Sequence, residues 1–408
     1  MSAPQSPFQT PQKLNYDVII IGGAMMGSST AWFLTDTPDF DGSVLVVEMD
    51  GSYQKSSTAH TNSCMRQQFS NELNVRISQF AADFVKNLRG YMGGDTRVPE
   101  LDIQNYGYMY LAGDEGLAAT LRENQKVQLA AGAATEVLTP DEIAARYPFY
   151  DLDGIVLGSI NRKDEGYWDG GTVFDWWRRS AQGRGVEYVP NKVVDLTVEA
   201  GRVRSVTLAT GEVISCGQVV NCAGPRGAQV AALAGIALPV EPRKRYTWIF
   251  SAEQPLDQDL PLTIDPSGIH FRQDGPKTYL AGGAPDPEED VAVDPNDFAM
   301  DYGRWENHVW PIIAARIPQF EAIKVVTEWA GHYAYNTLDQ NAVLGAHPEI
   351  SNFVFLNGFS GHGLQQSPAM GRATTEWLTY GEYRTLDMSP FGYERIVEGR
   401  RFLEKAVI

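Results

Sequence analysis

Three glycines, Gly22, Gly23 and Gly27, stand in the run GGAMMG, and an acid, Glu48, follows 21 residues after the last of them. Glycines at this spacing let a chain turn tightly and bring its amide N–H groups up to a diphosphate, and a carboxylate about 20 residues on can accept ribose hydroxyls. The chemistry is dinucleotide binding. Ala24 holds the place usually given to the second glycine. One extra methyl widens the approach to the phosphates slightly and does not abolish it. The competing reading of the same run is an ordinary turn that binds nothing.

The elements that must position these residues are legible around them. Asp17 to Gly22 is a short β-rich run, a helix is expected from about Met25 to Leu34, and Val44 to Glu48 is a second apolar strand. Strand, glycine turn, helix and strand make a βαβ unit, which predicts a parallel sheet. Val219 to Gly224 is another apolar strand entering a glycine turn, through Cys222 and Ala223. Near the other end, the glycine-rich Asn357 to Gly363 opens a helix expected from about Ser367 to Tyr380. Its amino end presents N–H donors and a positive dipole to an acceptor.

Between these segments, Asn71 to about Leu88 carries Leu73, Ile77, Phe80, Ala81, Phe84 and Leu88 at helical spacing. Tyr106 to Leu111 reads as a strand, and Asp195 to Ile214 as a meander. From about Leu238 to Ala284 the pattern turns strongly β, with Arg245 to Phe250, Ile269 to Arg272 and Thr278 to Ala281 set apart by turn residues. A separate antiparallel sheet is expected there. Tyr246 and Trp248 share one of its faces at period two, either towards a ligand or towards that sheet's own core.

A chain of 408 residues, 43% hydrophobic, buries more than one core, so two lobes are expected. The net charge of −18 repels nucleic acid and anionic membranes. Local arginines still allow a small anionic substrate. Cys64, Cys216 and Cys222 lack metal-ligand spacing, so no metal is expected and a reduced compartment fits best. No apolar run is long enough to span a membrane, and the polar, proline-bearing start reads as a loose tail and not a signal peptide. These features point to the cytoplasm.

GGAMMGSSTAWFL, SSTAHTNSCMRQQFS, EPRKRYTWIF, AGHYAYNTLDQNAVLG and NGFSGHGLQQSPAMGRA, in that order, resemble the D-amino-acid oxidase and sarcosine oxidase family of FAD-dependent oxidoreductases. RQQFS, NTLDQN and GHGLQQ are most similar to bacterial relatives of the mitochondrial FAD-dependent oxidoreductase-domain protein. The resemblance covers nearly the whole chain and is specific for fold and cofactor. It implies FAD held by Gly22, Gly23, Ala24, Met26, Gly27, Glu48 and Met49, with Cys222, Ala223 and Gly224 near the ribose and pyrophosphate. It further implies that Ser57, Thr58 and the loop through Ser63 and Cys64 wrap the flavin end, and that Val193 or Val194 meets the adenine. Gly358, Ser360, Gly361, His362, Gly363, Leu364 and Gln365 face the flavin, largely through their main chain.

For the substrate the resemblance points to Arg66 and Arg272 as carboxylate-binding residues, with an ordinary ion pair as the alternative for each. His332 and Tyr333 border the substrate cavity in relatives, with core packing as the alternative. Gln365 stands where sarcosine oxidases put a lysine, and it hydrogen-bonds a carboxylate without neutralising it. No cysteine follows Cys222, so the covalent flavin link of monomeric sarcosine oxidases has no counterpart near His332.

The expected fold is α/β, with a Rossmann-like FAD-binding lobe built from residues 1–95, 155–235 and 325–408. A second, antiparallel-sheet lobe for the substrate takes 96–154 and 236–324. The expected function is FAD-dependent oxidation of the C–N bond of an amino acid or secondary amine, an N-substituted glycine above all. Oxygen or an electron carrier is the final acceptor. The alternatives are a D-amino-acid dehydrogenase feeding a carrier, or a flavin-bound assembly protein with little turnover.

Overall fold

The computed structural model describes residues 8–286 and 288–405; residues 1–7, part of the expected tail, lie outside them. The chain divides into two compact units. Among the described residues, the first comprises 8–61, 170–243 and 332–403, and the second 62–169, 244–331 apart from 287, and 404–405.

The first unit is built on a parallel sheet in the order Phe353–Asn357, Val213–Asn221, Asn15–Ile21, Val44–Glu48 and Glu187–Pro190. Its central strands are near-continuous runs of Val and Ile because helices or strands cover both faces. On one side lies the helix Met25–Asp36, against which the helix Gly363–Tyr380 packs closely. A Cβ on Gly371 would lie 2.0 Å from the Ser29 hydroxyl oxygen, and that hydroxyl donates to the Ser367 carbonyl at 2.8 Å. On the other side the meander Val193–Glu199, Arg202–Leu208 and Val213–Asn221 folds antiparallel, as its turn residues predict. It packs with Ile19, Ile21, Leu45, Val47, Phe353 and Phe355 into one core.

The second unit is a sheet ordered Ile323–Asn336, Val240–Ala252, Thr278–Gly283, His270–Gln273, Leu262–Ile264, Tyr108–Ala112, Leu157–Asn161 and Glu136–Leu138. The three strands read from the sequence pair antiparallel, but Leu262–Ile264 pairs with Tyr108–Ala112 in parallel. The sheet is thus mixed, because distant segments complete it. Residues 62–95 and 155–169, assigned to the first lobe on sequence, cluster with the second unit instead. The helix Glu72–Lys86 buries Val75, Ile77, Ala81 and Phe84 within that unit. Its amino end is held by Glu404, whose carboxylate accepts the Ser70 N–H and the Asn74 amide. No helix among the described residues is long and apolar enough to cross a membrane.

Candidate functional site: a dinucleotide cradle and a polar sheet face

In the first unit the chain after Ile21 turns at Gly22 with φ +101°, a conformation glycine adopts without a steric penalty. A Cβ there would stand 2.4 Å from the Cys222 carbonyl oxygen, and one on Gly27 would stand 1.9 Å from the Gly22 carbonyl oxygen. Strand ends Ile21 and Asn221 are thereby drawn together, with Cys222 N–H donating to the Ile21 carbonyl at 2.8 Å. The Met25 helix has no side-chain cap and no acid in its first turn. Gly22, Ala24 and Met26 are half-buried, and Gly224, at φ +53°, has open space where a Cβ would be. A helix amino end with no acid in its first turn, beside an open glycine notch, suits a diphosphate, so the residues present fit the dinucleotide.

Glu48 ends its strand as a buried carboxylate. Its oxygens accept the Gly23 N–H and the Asp50 N–H, each at 2.8 Å. Burial pushes its carboxyl above the usual range, against those two hydrogen bonds and the nearby Arg226. Asn191 N–H donates to the Glu48 carbonyl, two residues before Val193 and Val194 open the first strand of the meander. Val193 is buried in the core and Val194 is exposed. Met49 is half-buried.

The glycine-rich run before the second helix is shaped by its contacts. Ser360 takes φ +48° and its hydroxyl accepts the Asn336 N–H at 2.9 Å. Gly361, at φ +95°, leaves no room for a Cβ, which would lie 2.5 Å from the Tyr333 ring. Gly358 turns at φ +72° against Asn336 and Val240. His362 and Gln365 are buried at the start of the helix, and Gly363 lies against Met26 while Leu364 lies against Gly170. Ser57 donates its hydroxyl to the His332 carbonyl at 2.6 Å, and the Thr58 hydroxyl accepts the Met25 N–H at 3.3 Å. Thus the glycine turn, the Ser57 loop, His332, Tyr333 and the Gly358–Gln365 run all belong to one unit.

In the second unit Arg272 and His270 project from one face of their strand, while Phe271 on the other face joins the core. Arg272 is 2% exposed. Its Nη2 donates to the Asn62 carbonyl at 2.9 Å, its Nη1 pairs with Asp274 at 3.0 Å, and its guanidinium lies 4.3 Å from the centre of the Tyr167 ring. Its Nε–H has no partner among the described residues. Burial raises the Cys64 thiol, while the same guanidinium acts to lower it. Ser63, at φ +53°, accepts the Trp168 N–H.

Arg66 is buried over the same sheet face, where Tyr110 stands in register with Ile264 and Ile264 with His270. Its guanidinium lies 4.3 Å from the centre of the Phe69 ring, within 6 Å of Tyr108 and Tyr110, and Nη1 donates to the Gln68 carbonyl. Close to it, Glu165 accepts hydrogen bonds from Gln67 N–H, Gln68 Nε2 and Asn161 Nδ2.

A family model described as FAD dependent oxidoreductase, the DAO family, matches residues 17–377. The chain belongs to the DAO family of FAD-dependent oxidoreductases. It is 36% identical to the FAD-dependent oxidoreductase domain-containing protein 1 of Xenopus laevis, over 96% of this chain and 85% of that one. It is 24% identical to the sarcosine oxidase subunit beta of Rhizobium meliloti, over 91% and 86%. Among solved structures it is similar to an L-proline dehydrogenase from P. horikoshii, with a TM-score of 0.81 and 24% identity over 95% and 99% of the two chains.

The DAO family is FAD-dependent, and the cradle's residues fit the diphosphate of that dinucleotide. Tyr53, which sequence reasoning missed, approaches Gly23 and is pushed up to about 12, by burial first and then by Glu48. Its φ of +61° is unusual for an aromatic residue and leaves no mark in the sequence pattern. Trp248 is fully buried beside Trp305, and Tyr246 packs at the edge of the same core. Residues of opposite parity, Thr247 among them, share the other sheet face with His270 and Arg272. Parity on the Arg245 to Phe250 strand was the available signal, and it named both faces without ranking them.

Glu165 gives a pH prediction. Burial pushes its carboxyl up to about 8, against its three hydrogen bonds and Arg66. A folded pKa above the ordinary 4.5 contributes stability that is complete below pH 4.5 and is lost as pH rises through 8. Urea unfolding between these values should show stability falling by up to roughly 1.4 kcal/mol per pH unit from this group. Glu165→Gln should flatten that slope; an equal slope in the variant would rule the assignment out.

Proposed function

We propose that this protein oxidises the C–N bond of a small amine that carries a carboxylate, with an N-substituted glycine as the preferred class. The observation that carries the reading is Arg272, a buried cation whose Nε–H lacks a partner among the described residues. Such a donor suits a carboxylate oxygen. The sarcosine oxidase subunit among the sequence relatives supports an amine of this type. Arg66, stacked on Phe69, has the charge for a second carboxylate contact.

FAD, when bound, supplies a two-electron acceptor for the hydride that leaves the carbon beside nitrogen, and the electrons pass on to oxygen or an electron carrier. The protein's part is orientation. Arg272 fixes the carboxylate end and so orients an amine that reacts in its unprotonated form, and within the first unit the N–H donors of the Gly363 helix favour negative charge near their amino end. The imine then hydrolyses to a carbonyl compound and an amine.

The test is anaerobic mixing of the yellow protein with N-methyl amino acids, iminodiacetate-like diacids and D-amino acids, following the flavin's visible absorbance. Bleaching by the N-substituted glycines is expected, and bleaching by D-amino acids alone would replace the reading with a D-amino-acid dehydrogenase. A flavin that stays oxidised with every amine would reject both in favour of an assembly role. Arg272→Met should raise KM for the carboxylate substrate about 100-fold, the effect of losing roughly 3 kcal/mol of charged hydrogen bonding, with flavin content unchanged. An unchanged KM would exclude Arg272 from the substrate site.

A further inference from the structure

The sheet face that carries Arg272 also carries a relay. Thr247 Oγ1 donates to Asn62 Oδ1 at 3.0 Å, and Asn62 Nδ2 lies 3.1 Å from His270 Nε2. Because the Asn62 amide oxygen is the acceptor from Thr247, its nitrogen is the donor to His270, and Nε2 must accept. In a neutral imidazole the single proton then sits on Nδ1. Burial, with Arg272 and Arg245 nearby, holds the ring neutral by pushing its pKa down to about 4.

His270 is 7% exposed, and Nδ1 has no hydrogen-bond partner among the described residues. Gly282, opposite His270 in the sheet, makes this placement possible. A Cβ there would stand 2.8 Å from Nε2 and displace the ring from Asn62. Two buried N–H donors, Nδ1 of His270 and Nε of Arg272, therefore stand two residues apart on one face, each lacking an acceptor among the described residues. Buried donors without acceptors are uncommon in folded chains, because leaving them unmet costs stability that a bound acceptor restores.

We propose that His270 is a specificity-determining residue of the substrate site, its Nδ1–H donating to the substrate carboxylate beside Arg272, with Asn62 and Thr247 as positioning residues that fix its tautomer. The proposal rests on the reading that the substrate carries a carboxylate. It adds a neutral donor to the charged one. A neutral donor favours a carboxylate without adding a second positive charge next to the amine, which must itself be uncharged to react.

The experiment is calorimetric titration of the holoprotein with methoxyacetate, a glycine-like carboxylate without an oxidisable C–N bond, and with methoxyacetamide as the neutral control. Binding of the acid and not the amide is expected. His270→Gln, whose amide reaches the position of Nε2 and leaves Nδ1 without a donor, should weaken it about tenfold, while His270→Asn, which places an N–H near Nδ1, should stay within about threefold of the parent. Thr247→Val keeps the shape and removes the relay's first donor, so it should weaken binding in the same sense if His270→Gln fails to fold. Flavin content checks each variant's fold. If Arg272→Met abolishes binding while Gln and Val variants bind like the parent, the His270 role is overturned and the carboxylate reading stands. If the parent binds neither probe, the two-donor site is overturned, and the amine panel judges the substrate reading separately.

Discussion

Gly27→Val is expected to give protein without flavin. A Cβ at Gly27 would lie 1.9 Å from the Gly22 carbonyl oxygen, which is backbone and cannot swing aside as a side chain would. The turn at Gly22 is itself pinned, since it has φ +101° and its own missing Cβ would meet Cys222. Relief must come from moving the Met25 helix away from the sheet, which withdraws the first-turn amides from the diphosphate. The expected loss in FAD affinity is on the order of 100-fold or more, with several kcal/mol of stability lost to overpacking. Gly183→Ala is the control, because no heavy atom lies within 4 Å of a Cβ there, and it should keep full flavin content. The readout is the ratio of flavin to protein absorbance after purification. A Gly27→Val protein as yellow as the parent would show that the helix can shift without cost, and the close-approach argument would fail.

Arg395→Met is expected to remove about 3–5 kcal/mol of stability, the loss typical when one partner of a buried ion pair is deleted. Arg395 is 1% exposed, and its Nε donates to Asp339 Oδ2 at 2.8 Å while Nη2 reaches Asp339 Oδ1 at 3.2 Å and the Ala342 carbonyl at 2.7 Å. Asp339 also accepts the Asn336 amide and the Phe402 N–H. This one pair ties the turn before the Val343–Ala346 strand to the chain's final segment. Without the guanidinium, Asp339 is left as a buried charge with neutral donors alone. The double variant Asp339→Leu with Arg395→Met should recover part of the loss, because it removes the stranded charge. Urea unfolding measures both, and a single-variant loss below about 1 kcal/mol would contradict the clamp.

NTLDQN illustrates the distance between motif and role. The run carries the family resemblance, yet its two asparagines and its aspartate act in a structural clamp, through Asn336, Asp339 and Asn341 around Arg395. Nothing in the spacing of that run announces its partner more than 50 residues later. Arg66 is similar: RQQFS marks it, but its aromatic surroundings combine Phe69 from the same run with Tyr108 and Tyr110 from a strand about 40 residues away.

The sequence alone determined the βαβ segment that opens the first unit, because strand, glycine turn, helix and acid are contiguous and each local step has few solutions. It determined the DAO family through motifs spread over most of the chain. Tertiary structure decided which side of the Val240–Ala252 strand is core. Period two assigns Tyr246 and Trp248 to one face and Thr247 to the other, and only the packing of Trp305 and Phe320 against the first face leaves Thr247 with His270 and Arg272. Tertiary structure also moved residues 62–95 into the second unit, since a helix's apolar stripe states that it is buried and not against what. Periodicity is a local property of the chain, whereas the choice between two faces or two cores depends on partners that folding brings in from far along it.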